Sequence, residues 1–530
     1  MARVTKTTPP VAIDLARDVD GTPRASAPRL GPVLLIGTGA TCRTLRAQLD
    51  LLDHPPETVG TAIVEPATDV ADIIARARGA RTPRVALVSL PSGERALSRR
   101  ISATLGRLGI EERRVPPLDE LLAGRVAPAR TGARTGTGAY TGSISRSPAA
   151  QAFDPVALLG RDPRRIDMAL AREAIRGRRV LITGAGGSIG AELAATVAAL
   201  EPARLILIER SENALFEIDR RIGAARNEID RVTLLHDIVD ASGTRSVFET
   251  HAPEVVFHAA AHKHVPLMEN HPAHAVVNNV LGTRSVAEAA LAAGTDRFVL
   301  ISSDKAVNPS SVMGATKRLA EMLIHAMQSR STDSGARTRL AMVRFGNVLG
   351  SSGSVLPVWA AQLAEGGPIT VTDERMTRYF MTIPEAAALV VQAAGLSASS
   401  GPAADTFVLD MGEPVRILDL AARFVAASGA EPVIGRAAPP NTDEIEIRIT
   451  GARPGEKLYE ELAYDAEQLA PTRASGVRTL RRPEWVDSGR VLARIDRLAS
   501  WCRGAPGDEV VAALARLVPE FDRQRTRRAA

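Results

Sequence analysis

Short, wholly apolar runs alternate along this chain with longer stretches of helical periodicity. That is the pattern of strands buried on both faces and joined by helices, as in a parallel sheet. The first unit opens with Gly31-Pro-Val-Leu-Leu-Ile-Gly-Thr-Gly-Ala-Thr-Cys42, which reads as a strand, a glycine turn and a helix start. Strand-like runs follow at Gly60–Glu65 and Arg84–Leu90. A second, larger series predicts strands at Arg179–Thr183, Arg204–Glu209, Arg231–His236, Val255–His258, Arg297–Ser302 and Thr338–Phe345. Alanine-rich helical stretches separate most of them. After residue 350 or so the pattern loosens into a smaller region through Val371–Thr372, Thr406–Asp410 and Glu444–Thr450, expected to cap a substrate site.

The expected fold class is therefore α/β, with two tandem Rossmann-like doubly wound parallel sheets, the second carrying a small α+β cap. Residues 1–30 lack periodicity and read as a flexible arm, and 126–150, rich in Gly, Thr and Arg, read as a flexible linker. Between and beyond them lie a nucleotide-binding domain (31–125), a larger catalytic domain with its cap (151–465) and a C-terminal helical extension (466–530).

Composition narrows the function classes. No apolar run approaches the ~18 residues of a membrane-spanning helix, and Met1 opens no signal-peptide pattern. A cytoplasmic chain without an integral membrane segment is expected. Cys42 and Cys502 are the only cysteines, which excludes a disulfide framework and a cysteine-rich zinc site. The net charge of +6 hints at nucleic acid, but much of the excess sits on Arg130, Arg134 and Arg146 and on Arg523, Arg525, Arg527 and Arg528. With aromatics at 3% there is no stacking platform, so nucleic acid is not an expected partner. Lysine occurs only at 6, 263, 305, 317 and 457 among 66 basic residues. A lysine retained against that arginine bias marks a place where a compact, titratable ammonium is needed.

Ile182-Thr-Gly184-Ala-Gly186-Gly187-Ser188-Ile189-Gly190 follows a strand and opens a helix. Glycines there allow the tight turn, the approach of a pyrophosphate to backbone N–H groups, and close helix packing. Glu209 ends the next strand, where an acid bonds the adenosine ribose of NAD; Arg210 beside it leaves NADP open. Asp237 with Ile238, Ala259–Ala261 (Ala259, Ala260 and Ala261), Asn279 and Lys317 complete the expected cofactor set. The earlier Gly37-Thr-Gly39 turn has Cys42 in its third glycine position, so whether that domain binds a ligand stays open.

After the fifth strand of the larger domain comes Ile301-Ser302-Ser303-Asp304-Lys305-Ala-Val-Asn308-Pro309, then Val-Met313-Gly-Ala-Thr-Lys317. In short-chain dehydrogenases/reductases this stretch carries Tyr-x-x-x-Lys, whose spacing puts phenol and ammonium on one helix face. Here Met313 stands in the tyrosine position, and no tyrosine in the chain has lysine four residues on. Chemistry that relies on that phenolate, as in an ordinary reductase or 4-epimerase, is disfavoured.

Together with Phe257-His-Ala-Ala-Ala-His-Lys263-His264-Val-Pro266, Val343-Arg-Phe-Gly-Asn347-Val-Leu-Gly-Ser-Ser-Gly-Ser354, Arg378-Tyr-Phe-Met-Thr-Ile-Pro-Glu and Arg453-Pro-Gly-Glu456-Lys457, these motifs resemble the large bacterial polysaccharide-biosynthesis UDP-N-acetylglucosamine 4,6-dehydratases. Many members carry N-terminal membrane helices, and this sequence departs from them there. The resemblance implies loss of hydride from sugar C4, removal of the C5 proton, departure of the C6 hydroxyl as water, and return of the hydride to C6. Asp304 would protonate the leaving hydroxyl and Lys305 would take the C5 proton, the acid's pKa raised and the lysine's lowered. Ser303 would hydrogen-bond O4, and Lys317 would hold the nicotinamide ribose. Lys263, His264, Asn347, Ser354, Arg378, Arg453 and Glu456 would bind the UDP-sugar. The O4 base stays open between Asp304 and a relayed water. Relatives also imply a homo-oligomer. His258, His262 and His264 straddle a strand end without cysteine, so no metal is expected. A C5- or C3-epimerising relative and a non-catalytic dinucleotide sensor stay open as rival readings.

Overall fold

The computed structural model of the chain describes residues 32–49, 57–65, 69–78, 83, 85–90, 95–115, 155–226, 228–397, 404–439, 443–453, 455–464, 468–481 and 487–521. The expected arm (1–30) and linker (126–150) lie outside the described residues. The chain divides into two units, Met1–Tyr140 and Thr141–Ala530.

In the first unit β1 (Val33–Gly37), β2 (Thr58–Ile63), β3 (Val85–Ser89) and β4 (Glu111–Arg114) form a parallel sheet in the order β2-β1-β3-β4. Alternate residues of β1 feed opposite faces. Leu34 and Ile36 join Ile74 and Ile101, while Val33 and Leu35 join Leu45. A Cβ at Gly37 would stand 2.3 Å from the Ser89 carbonyl oxygen, and the Thr41 hydroxyl donates to that same oxygen at 2.6 Å. The glycine here serves close packing of β1 on β3, and the chain itself takes up the space.

In the second unit β5 (Arg179–Thr183), β6 (Arg204–Glu209), β7 (Arg231–Leu235), β8 (Val255–His258), β9 (Arg297–Ile301) and β10 (Arg339–Arg344) stand where the apolar runs predict strands. Short β11 (Asn347–Leu349), β12 (Ile369–Val371), β13 (Thr377–Arg378) and β14 (Phe380–Thr382) follow. Then come β15 (Asp405–Leu409), β16 (Val415–Arg416), β17 (Glu431–Ile434), β18 (Glu444–Ile449), β19 (Gln468–Pro471) and β20 (Val477–Arg481). The main sheet runs β19-β20-β15-β10-β9-β8-β5-β6-β7; the β15–β20 and β20–β19 pairings are antiparallel and the others parallel. Strand order reverses between β5 and β8, which opens a crevice at their carboxyl ends, the place where such sheets bind ligands.

Two expectations are corrected. Thr406–Asp410 belongs to the main sheet as β15, not to the cap, because it pairs in register with β10. Residues 466–530 are not simply helical: β19 and β20 extend the sheet before helices Ser488–Trp501 and Gly507–Leu517. Those two helices lay Val491, Ile495, Leu498, Val510, Leu514 and Leu517 into the core around helix Val312–Asp333. The cap keeps its own apolar cluster, with Trp359 against Phe424 at 5.7 Å between ring centroids.

Candidate active site

The glycine turn after β5 assigns each glycine a separate task. Gly184 has φ +65°, and a Cβ on it would stand 2.8 Å from the Ala260 backbone, so β8's continuation passes directly over the turn. A Cβ on Gly190 would stand 2.0 Å from the Gly184 carbonyl oxygen, and one on Gly186 2.5 Å from Ala214 Cβ. Those two glycines serve helix packing. Gly184 and Gly187 line an open cleft together with Glu209, Asp237, Ile238 and the Ala259–Ala261 segment. Ile189 packs against the core, and the Ser188 hydroxyl accepts from Ser352 N at 3.0 Å.

Glu209 closes the cleft. Its Oε2 accepts from Gly186 N at 3.1 Å, and its Oε1 accepts from Arg210 N and Ser211 N at 3.0 Å each. The Arg210 guanidinium lies 4.0 Å from Asp237 and donates to Asn278 Oδ1 at 3.4 Å. A glycine cradle that a Cβ would fill, with a carboxylate at the end of the second strand, fits a dinucleotide. Asn279 does not line this cleft. Its Oδ1 accepts from His262 N at 2.8 Å, and its amide donates to His262 O and Thr316 Oγ1. Its neighbour Asn278 takes the cleft position. Among the remaining histidines, His258 is buried between Thr183 Oγ1 (2.7 Å) and Thr283 Oγ1 (3.0 Å), and burial pushes it down to about 3.

The segment after β9 turns sharply as a 3-10 turn over Asp304–Ala306, capped by Ser303, whose hydroxyl accepts from Lys305 N at 3.2 Å. Asp304 is fully buried. Its Oδ1 accepts from Ser303 Oγ at 2.7 Å and from Lys305 Nζ at 3.0 Å, while its Oδ2 has no hydrogen-bond partner. Lys305 Nζ also donates to Asn347 Oδ1 at 3.1 Å. Burial works to lower the Lys305 pKa, but the Asp304 and Glu460 carboxylates outweigh it and raise it above the ordinary value. The expected lowered lysine is thus corrected for the resting site, because the acid supposed to assist it also holds its proton. Lys317, buried on helix Val312–Asp333, donates to Ile301 O at 2.9 Å, and burial pushes it down to about 8. Met313 is 2% exposed among core residues and lines neither cleft nor cavity.

A second cavity lies over this segment, lined by Lys305, Asn347, Arg378, Glu456, Lys457 and Glu460, among others. Arg378 holds the loop beneath it, donating to Lys457 O at 2.7 Å and Leu458 O at 3.2 Å. Arg453 is exposed on the same loop; its backbone N donates to Glu456 Oε2 at 3.2 Å. Lys263 and His264 are also exposed. Partial desolvation by the surrounding protein and the Lys305 charge lower Lys263, and partial desolvation and the Lys263 charge lower His264. Ser354 Oγ is buried without a hydrogen-bond partner and does not line the cavity. Sequence reasoning missed Glu460, whose Oε1 lies 3.6 Å from both Lys305 Nζ and Arg378 Nε. Its one sequence signal is proximity to the Arg453–Lys457 motif.

The chain is 48% identical over 319 residues to the probable polysaccharide biosynthesis protein EpsC of Bacillus subtilis, covering 59% of this chain and 50% of that one. It is 47% identical over 306 residues to the capsular polysaccharide biosynthesis protein CapD of Staphylococcus aureus, covering 58% and 48%. The chain thus spans about half the length of these curated relatives. The solved structure of Pen from Bacillus thuringiensis matches with a TM-score of 0.50 and 32% identity over 59% of this chain and 89% of that one. The model of the family described as polysaccharide biosynthesis protein matches residues 180–481, and the chain belongs to that family.

Proposed function

We propose that the chain catalyses the NAD-dependent 4,6-dehydration of a UDP-sugar, UDP-N-acetylglucosamine foremost, to the 4-keto-6-deoxy sugar with C5 configuration retained. The observation that carries this reading is the buried Asp304 carboxylate held 3.0 Å from Lys305 Nζ, at the carboxyl end of β9. Elimination across adjacent carbons needs an acid and a base side by side, and these two supply them.

A nicotinamide bound in the cleft supplies hydride exchange with the sugar carbons. Gly184 and Gly187 would hold its pyrophosphate, Glu209 its adenosine ribose, and Lys317 its nicotinamide ribose. The Glu209 carboxylate repels a 2′-phosphate, and Arg210 is engaged by Asp237 and Asn278, which favours NAD over NADP.

Ser303 bonds the sugar O4. Asp304 and Ser303 lie beneath Lys305 and line neither the cleft nor the cavity, so the sugar must reach the free Oδ2 of Asp304, which would then accept the O4 proton and become the acid that the departing C6 hydroxyl requires. One carboxyl thus covers both proton transfers, and the missing tyrosine leaves no gap. Lys305 takes the C5 proton and, after exchange of its ammonium protons with solvent, delivers one to the same face. Asn347 fixes the Lys305 Nζ. Glu456 bonds the uridine ribose, and the exposed Arg453, Lys263 and His264 meet the pyrophosphate at the rim.

Incubation with UDP-N-acetylglucosamine followed by proton NMR tests the reading. A 6-methyl doublet from the 4-keto-6-deoxy sugar is expected. Recovery of the C4 epimer instead would replace this reading with that of an epimerase.

A further inference from the structure

We propose that Glu460 is the acceptor for the Lys305 proton, so that the Glu460–Lys305 pair converts a resting ammonium into the amine that attacks C5–H. This inference rests on the dehydratase reading and adds a residue to it. The resting site poses the problem. Lys305 Nζ donates to Asp304 and Asn347, and an ammonium held by a carboxylate has no lone pair with which to remove a proton. A place for one proton is needed within reach.

Glu460 is the group in reach. Its Oε1 lies 3.6 Å from Lys305 Nζ, and its carboxyl side chain is 2% exposed. Its Oε2 is buried without a hydrogen-bond partner. A buried carboxylate with an orphaned oxygen is costly, and a protonated one much less so. Burial accordingly raises the Glu460 carboxyl, and the Asp304 charge adds to that against the Lys305 and Arg378 cations. Arg378 Nε, 3.6 Å from the same Oε1, keeps Glu460 in place while its other nitrogens hold the loop carbonyls.

The step balances. One N–H bond of the Lys305 ammonium breaks, one O–H bond forms on Glu460, and an ion pair becomes a neutral pair. A sugar seated in the cavity that Lys305 and Glu460 both line removes water from Lys305, whose side chain is 22% exposed, and favours the neutral pair. The amine then takes the C5 proton as the C6–O bond breaks, the hydroxyl leaving with the Asp304 proton. Lys305, its ammonium protons exchanged with solvent, delivers one to C5, and Glu460 returns its own to Lys305 when the product leaves. Glu460 acts through Lys305 and is a positioning residue in that sense.

Steady-state kinetics of wild type and E460Q from pH 7 to 9, with NMR of C5 exchange in deuterated water, test the proposal. E460Q is expected to keep KM within about threefold and to lose about a hundredfold in kcat at pH 7, a typical worth of one positioned proton acceptor. Its turnover then rises by up to about tenfold per pH unit, because solvent must remove the lysine proton, while wild type stays flat. C5 exchange falls with kcat. A kcat within about threefold of wild type, or a loss independent of pH, overturns the proposal. Should E460Q not fold, E460D, which keeps a carboxyl, is expected to show a flat pH profile; a folded E460D whose turnover climbs with pH overturns it. Wild type that leaves every UDP-hexose unchanged overturns the dehydratase reading, and this proposal with it. Wild type that dehydrates beside a fully active E460Q overturns the proposal alone.

Discussion

The Glu321 carboxylate holds the Arg344 guanidinium by two hydrogen bonds, Nε at 2.8 Å and Nη2 at 2.7 Å, with both side chains almost wholly excluded from water. The same carboxylate accepts from Ser302 Oγ at 2.7 Å. It therefore ties the end of β10 and helix Val312–Asp333 to the residue before Ser303. Burial works to raise the Glu321 pKa, but the Arg344 charge and hydrogen bonds, the Arg318 charge and the Ser302 hydroxyl together outweigh it and hold Glu321 down at about 2.

Removing one partner takes from the other the main counter-charge it has in the core; Arg318 also lies 3.5 Å from Glu321. Glu321→Gln is expected to cost about 3–5 kcal/mol in urea unfolding. The double variant Glu321→Leu/Arg344→Met is expected to recover most of that loss, because both charges go together. A single-variant cost below about 1 kcal/mol would contradict the account.

The two roles of the glycine turn separate experimentally. Gly187 has φ −71°, and a Cβ there meets the Gly184 carbonyl oxygen at 3.3 Å, so Gly187→Ala asks the turn to give by a few tenths of an ångström and should still fold. Because it narrows the cleft, bound dinucleotide measured by absorbance after denaturation should fall at least about tenfold, the yield of one misplaced methyl against a pyrophosphate. Gly190→Ala drives a Cβ to 2.0 Å from a backbone oxygen and should lower Tm as well as cofactor content.

Asp304→Asn and Lys305→Ala should each lower kcat by about 10²–10⁴, the usual range for a positioned acid or base. Neither side chain lines the dinucleotide cleft, so bound cofactor should stay at wild-type level. Unchanged turnover in either variant would remove the roles assigned to this pair.

Acid should unfold the chain through its buried neutral imidazoles. Burial pushes His258 and His325 down to about 3 each. Below the ordinary value of 6.5 the unfolded chain binds a proton that the folded chain refuses, so stability falls as pH falls from 6.5 toward 3. At pH 5 each histidine should cost about 2 kcal/mol by linkage. His325→Gln should flatten this part of the urea-midpoint profile between pH 7 and 5. An unchanged slope would contradict the assignment.

The strands β5, β6, β8, β9 and β10 were legible because each is an apolar run buried on both faces, and β7 because it keeps β-branched and apolar residues at the sheet edge. β19 and β20 were not, since Gln-Leu-Ala-Pro at the sheet edge and Val-Arg-Thr-Leu-Arg beside it mix polar with apolar residues. The choice between Asn278 and Asn279 was beyond the sequence. A π turn over Val277–Leu281 shifts the helical register by part of a residue and decides which amide faces the cleft. Asp304 and Lys305 could be placed at a strand end by pattern alone. Glu460 could not, because only the fold brings it to Lys305 across more than 150 residues of chain.

The central claim is that Asp304 and Lys305 carry out proton chemistry on C5 and C6 of one sugar. Mass spectrometry and NMR of UDP-N-acetylglucosamine incubated with the protein in deuterated water test it most directly. Loss of one water is expected, with a single deuterium at C5 and none at C6. Product carrying solvent deuterium at C6, or a product formed without deuterium at C5, would contradict it.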